Sequence, residues 1–309
     1  MTYLSTMSRL YTFSFHQSSK RGILLSSDQK FWSLSDRWNR ENGYRQVLSI
    51  AFPLVLSMGS VAIMLFVDRM FLTWHSVDAV AASMPAGMLN FALMTLFMGT
   101  AGYTSTFVAQ YHGSGRHDRI GPTVWQGIYI AMIGGVVLLA LVPFAGIFFR
   151  FVGHDVAIRE NEIVYFRLMC LGAMPFVASA AVAGFFSGCG RAWPVMWVNV
   201  FATSINALMD YVLIFGHWGF PELGIKGAAI ATVISSSMGF IVYLALLSRR
   251  ANNTQYRTIS GWRFDQALFR RLVRFGLPNG LQFFIDMIGF TVFILFMGRL
   301  GTAPLAAIN

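Results

Sequence analysis

The chain has 309 residues, 56% of them apolar and only 12% charged, with a mean hydropathy of +0.58 and a formal charge of +10. An ordinary soluble domain carries roughly a quarter charged residues, so this chain lacks the polar surface a water-soluble globule of its size needs, and the same apolar excess excludes disorder. What remains is an all-α polytopic membrane protein, and at roughly 30 residues per span and loop the length holds about seven to ten helices.

Residues 1–45 contain no apolar run long enough for a signal peptide. They carry Arg9, Lys20, Arg21, Lys30, Arg37, Arg40 and Arg45. A basic cytoplasmic arm is expected here, its first 30 residues disordered. Seven apolar segments follow, at about 46–74, 80–110, 122–149, 162–187, 194–216, 225–248 and 276–300. Each is long enough to cross a ~30 Å hydrocarbon core as a helix. Six of them make one lobe, 46–248. Pro53, Pro143, Pro175, Pro194 and Pro278 lie inside or at the edges of these spans. Membrane helices tolerate proline where neighbouring helices satisfy the freed carbonyls.

The one long connection, 249–275, repeats Phe264, Leu268, Leu272 and Phe275 at helical spacing. It reads either as a short amphipathic helix in the cytoplasmic interface or as a solvated linker with an amphipathic end. Residues 276–309 then open a further unit. With the N-terminus inside, the inner segments hold seventeen Lys and Arg and the outer loops three. That positive-inside bias sets the orientation. The basic excess is juxtamembrane and faces anionic lipid, so no nucleic-acid partner is needed to explain it. Cys170 and Cys189 both sit in apolar stretches and form neither a disulfide framework nor a metal motif.

Sliding the chain against itself by 225 residues superposes Arg45, Pro53, Leu56, Ile63, Val67, Phe71, Ala81 and Ala82 on Arg270, Pro278, Leu281, Ile288, Val292, Phe296, Ala306 and Ala307. Both copies open with a basic residue and a proline near the inner end of a span. Six spans separate them, an even number, so both copies run the same way through the membrane. Parallel repeats of this kind recur in secondary transporters.

Three acidic residues fall inside the predicted spans: Asp68, Asp210 and Asp286. A carboxylate at a helix centre costs about 2.5–3.5 kcal/mol on insertion scales, so each needs a partner, a cation or a role. Asn199, Thr203, Asn206 and Asp210 are spaced 4, 3 and 4, on one helical face. Such an oxygen-rich face suits a hard cation or an exchangeable proton; hydrogen bonding between helices is the plainer reading, above all for Asn199 and Thr203. Asp68 and Arg69 are chain neighbours and do not face one another on a helix, which leaves Arg69 to reach for the outer interface. Gln282 and Asp286 share a face of the seventh span. Trp74, Trp125, Trp193 and Trp218 near span ends fit an interfacial belt. No HExxH pair and no Walker sequence is present, so neither zinc chemistry nor direct use of ATP is expected.

The segments IAFPLVLSMGSVAIMLFVDRMFLTW at 50–74, GTAGYTSTFVAQYHGSGR at 99–116, SGCGRAWPVMWVNVFATSINALMDYVLIFG at 187–216, LGIKGAAIATVISSS at 223–237 and FGLPNGLQFFIDMIGFTVFILFMGRLGTAPLAA at 275–307 resemble the multidrug and toxic compound extrusion (MATE) family. The resemblance covers about 44–309. It implies twelve helices in two six-helix lobes, of which this chain holds the N-lobe and the first helix of the second. It also implies export of small amphipathic or cationic substrates from the cell (inner) membrane, driven by inward Na⁺ or H⁺, by a full-length monomer with no other cofactor. The family's cation or proton site maps onto Asp68, Asn206, Asp210 and Thr232, with Asp68, Asn206 and Asp210 as Na⁺ ligands. Asp286 stands where many relatives carry a Glu, with Gln282 beside it as a substrate or coupling site.

Two carboxylates in one apolar site repel, and binding a proton or Na⁺ relieves the repulsion. Cation entry would thereby bias the lobe between two conformations. A flippase for lipid-linked precursors is the competing transporter reading, but it calls for clustered basic residues, and the spans offer only Arg69, Arg167 and Arg299. An intramembrane prenyltransferase would need DxxxD clusters on loops, and none exists here. On a 225-residue period the second unit would run to roughly 490–500, so the chain reads as truncated. Such a fragment is expected to keep the cation site without forming the transport cavity.

Overall fold

The computed structural model describes residue 38 and residues 44–152 and 156–299. The expectation of disorder in the first 30 residues lies outside this range, as does the double alanine of the second repeat copy. Every described element is an α-helix or a 3-10 turn, with no strand among the described residues. In chain order the helices are α1 (Tyr44–His75), α2 (Val77–Gly102), α3 (Thr104–Gly113), α4 (Ile120–Leu141), α5 (Ala145–Val152), α6 (Val156–Leu171), α7 (Ala173–Gly188), α8 (Ala192–Phe215), α9 (Ile225–Leu247), α10 (Arg250–Tyr256) and α11 (Gln266–Arg299).

The first six predicted spans all form, making this a multi-pass membrane protein. Five are long apolar helical stretches: Val47–His75, Val77–Gly113, His117–Arg150, Ala192–Phe215 and Ile225–Leu247. The fourth is a pair, Ile158–Leu171 and Ala173–Gly188, bent by 45°. The bend has a local cause. Pro175 has no N–H to give the carbonyl of Leu171, and Gly172 sits at the break, where a Cβ would come within 3.0 Å of Val233 on α9. Pro143 likewise interrupts the third span with the 3-10 turn Val142–Phe144. Pro53, Pro85 and Pro278 stay inside continuous helices.

The core lies among the second, third and fourth spans, where small residues let backbones approach. A Cβ on Gly188 would lie 2.7 Å from the carbonyl oxygen of Ser105. Phe185 and Phe186 near this contact, and Phe149 and Phe166 packed edge-to-face on each other, are almost wholly buried.

The seventh predicted span begins earlier than its apolar run. Residues 266–275 are not a separate interfacial helix but the first turns of α11, with Leu268 and Leu272 buried. Nor is the connection before it solvated throughout. Tyr256 and Thr258 are buried, and the third span grips the chain that follows. Trp125 Nε1 donates to the Thr258 carbonyl at 2.7 Å, Gln126 Nε2 to that of Arg263 at 3.5 Å, and Tyr129 Oη to that of Trp262. Arg119 pairs with Asp265 at 3.3 Å, while the other carboxylate oxygen of Asp265 caps α11 by accepting from Leu268 N. The helix then lies along α2. A Cβ on Gly99 would meet Gly280 Cα at 2.7 Å, and one on Gly276 would meet the Thr100 carbonyl at 2.7 Å. Asn279 Nδ2 donates to the Gly99 carbonyl at 3.0 Å.

Candidate functional site

The polar face predicted on the fifth span meets α1 at every step. Asn199 Nδ2 donates to Ser57 Oγ at 2.5 Å, and Thr203 Oγ1 to the Ser60 carbonyl at 3.2 Å. One turn beyond Thr203, Asn206 lies between Asp68 and Asp210. A carboxylate only accepts, so the Asn206 amide turns its nitrogen toward both, donating to Asp68 Oδ1 at 2.8 Å and Asp210 Oδ2 at 3.3 Å. The two carboxyl groups are thus brought together on one amide. Asn206 and Asp210 are fully buried and Asp68 is 9% exposed.

Asp210 Oδ1 is buried with no hydrogen-bond partner among the described residues. An isolated charge there would carry a large desolvation cost. A proton shared between the carboxyls removes one of the two charges. A small cation would serve the same end, but Asn206 would have to rotate to offer its oxygen. The donor set suits a hard cation in that rotated state: two carboxylates and an amide oxygen.

Asp68 opens onto a cavity of about 290 Å³. Its walls include Arg69 on α1, Asn90 on α2, Tyr165 on α6 and Thr232 on α9. Of the four residues expected at the cation site, three are therefore in direct contact. Thr232 faces the same cavity as Asp68, its hydroxyl donating to the Ala228 carbonyl at 3.0 Å. Arg69 makes no ion pair among the described residues and is exposed, lining the cavity mouth. Gln282 and Asp286 are not brought to this site: both are exposed on α11, and only their neighbour Met287 reaches the cavity.

Beyond Asp68 and Asp210 the two helices end in an aromatic cap. Phe71 packs against Tyr211 and Phe215 with ring centres 6.2 and 5.8 Å apart, and His75 pairs with Glu222 at 3.2 Å. The His75 ring fills the space where a Cβ on Gly224 would stand, 2.9 Å from its atoms. Gly224 has φ +51°, so glycine is required there twice over.

Some participants were not singled out from the sequence. Ser57 and Ser60 share a face of α1 with Asp68, and the spacing rule that exposed the α8 face would have found them. Glu162, at the edge of the fourth predicted span, belongs to α6 and is fully buried. Tyr165, one turn beyond it, is 8% exposed and lines the cavity. No periodicity marks either residue, because their burial depends on which helices surround α6.

A family model described as MatE matches residues 53–212, just over half of the chain. A probable multidrug resistance protein NorM of Bradyrhizobium diazoefficiens is 31% identical over 268 residues, covering 85% of this chain and 56% of that protein. A second probable NorM, from Synechocystis sp., is 29% identical over 276 residues, covering 89% of this chain and 60% of its own length. Among solved structures, a MOP superfamily transporter from Pyrococcus furiosus superposes with a TM-score of 0.74 at 20% identity, over 85% of this chain and 58% of that one. The chain thus spans less than two thirds of the length of the relatives it matches.

Proposed function

The chain belongs to the MatE family, and on that premise we propose that the complete protein exports small amphipathic or cationic compounds in exchange for Na⁺ or H⁺. It does so as a monomer in the cell (inner) membrane, with the N-terminus and the 249–265 connection on the cytoplasmic side. The observation that carries this reading is the Asp68–Asn206–Asp210 cluster at the wall of the lobe's cavity. It holds two carboxyls where the apolar surroundings favour only one charge. Loading with a proton or Na⁺ offsets one of the two negative charges and stabilises the closed contact between α1 and α8. Release restores the repulsion and drives the two helices apart. Because Asp68 belongs to both cluster and cavity, that movement changes the space in which a substrate sits.

The Asn206 nitrogen turned toward both carboxyls supports H⁺ as the coupling ion, since an amide nitrogen in that position cannot ligate Na⁺. The cavity walls carry one basic residue, Arg69, which is poor equipment for a pyrophosphate headgroup and weighs against a flippase.

Dye efflux from cells expressing the full-length gene product, with Na⁺ and pH gradients imposed separately, tests the proposal. Efflux should follow one gradient. Asp68→Asn and Asp210→Asn should each reduce it to the level of cells lacking the protein, with membrane insertion unchanged. Wild-type efflux from either variant overturns the mechanism.

A further inference from the structure

The connection between α9 and α11 has two faces. The inner face is held by the third span through the carbonyls of Thr258, Trp262 and Arg263, as described above. The outer face carries Ile259, Trp262 and Phe264, which are 46%, 59% and 58% exposed. Among them stand Arg257 and Arg263, both exposed, with Arg249 and Arg250 before them and Arg270 and Arg274 after.

The charge on this face is uncompensated. From 249 to 275 there are seven arginines and one acid, Asp265. Asp265 is engaged by Arg119. The nearby Asp118 lies beside the same Arg119 at 3.9 Å. Arg271 is committed inward, donating to Tyr111 Oη at 3.4 Å and lying over the Phe107 ring at 5.2 Å. The other six arginines form no ion pair among the described residues.

The position of the face is set by the spans that flank it. Arg249 follows the last residue of the sixth span by two positions, and Arg270 and Arg274 lie in the first turns of α11, so all sit at headgroup depth. Indole and guanidinium groups side by side at that depth are what an anionic interface selects: the ring enters the acyl boundary while the cation meets phosphate.

We propose that this outer face is a binding surface for the phosphate headgroups of anionic membrane lipids, with Arg257, Arg263, Arg270 and Arg274 as the cationic ligands and Ile259 and Trp262 as the apolar anchor. The site differs from the cation cluster and does not depend on the coupling mechanism. Because its backbone is clamped to Trp125, Gln126 and Tyr129, lipid bound outside fixes the start of the seventh span against the third.

The full-length protein in detergent, titrated with phosphatidylglycerol or phosphatidylcholine, provides the test. Phosphatidylglycerol should raise the unfolding temperature and phosphatidylcholine should not. The quadruple variant Arg257→Gln, Arg263→Gln, Arg270→Gln, Arg274→Gln should need at least tenfold more phosphatidylglycerol for the same rise, with an unchanged unfolding temperature in detergent alone. A second measurement guards against misfolding. In phosphatidylglycerol vesicles containing brominated acyl chains, the tryptophan fluorescence of wild type should be quenched more than that of Trp262→Phe. Equal stabilisation by the two lipids, or equal quenching of the two proteins because another part of the chain covers Trp262, overturns the proposal.

Discussion

The first and seventh spans are related by the 225-residue offset, and each is a long helix with a proline inside it: 32 residues around Pro53 and 34 around Pro278. They are attached by opposite means. α11 lies along α2 in the most extensive helix pairing of the described chain, with Gly99, Gly276 and Gly280 bringing the backbones together. α1 makes no comparably extended backbone contact with any described helix. Side chains hold it to α8: Ser57 to Asn199, Ser60 to Thr203, Asp68 to Asn206. The residues responsible fall where the two copies differ. Ser57, Ser60 and Asp68 align with Gln282, Ile285 and Phe293, while Gly276 and Gly280 align with Ala51 and Val55. Shared positions preserve a helix; unshared positions decide whether it is locked in place or free to respond to charge.

The largest expected effect breaks the locked side of that comparison. At Gly280 a Cβ would stand 2.2 Å from the Leu96 carbonyl and 2.5 Å from Thr100 Oγ1. Backbone on a packed helix cannot move aside, so Gly280→Leu should cost about 3 kcal/mol or more through overpacking. Thermal unfolding in detergent measures it, and an unchanged transition would show that the glycine contact does not hold α11. The cluster on the responsive side behaves in the opposite way. Asp68→Asn keeps the shape and removes a charge, so its unfolding transition should stay within about 1 kcal/mol of wild type. Its transport should nonetheless vanish.

The two attachments also differed in how readable they were. The α8 face could be read because four polar residues at helical spacing are conspicuous in an apolar background. Its partners on α1 were less visible, since a serine hydroxyl in a membrane helix donates to the carbonyl one turn back, as Ser60 does to that of Leu56. The spans themselves follow from hydropathy, and the bend at Gly172–Pro175 from local chemistry. Glycine docking is different in kind. Gly276 and Gly280 show that something approaches closely, but only the folded chain names Gly99. The connection was illegible for a related reason: its polar backbone is satisfied by side chains more than a hundred residues away, such as Trp125 with Thr258. The candidate cation residues were named through family resemblance. The residues alone supplied the shared face of Asn206 and Asp210, and the fold supplied their contact with Asp68.

Smaller effects sharpen the responsive side. Ser57→Ala and Asn199→Ala, combined in a double-mutant cycle on unfolding stability, should show a coupling of about 0.6–1 kcal/mol, the usual worth of a hydrogen bond between membrane helices. A coupling of zero would leave α1 held by the Ser60–Thr203 contact, the carboxylate cluster and the aromatic cap.

The smallest effect has the opposite sign. Gly59 lies in mid-helix on α1 with nothing within 4 Å of where a Cβ would stand, unlike Gly280 on α11. Gly59→Ala therefore meets no neighbour and removes only the conformational freedom of glycine, which should stabilise the helix by about 0.5 kcal/mol. The same thermal unfolding assay reads it. A destabilisation would mean that a backbone approaches α1 at Gly59, and the contrast between a locked seventh span and a loosely held first one would then fail.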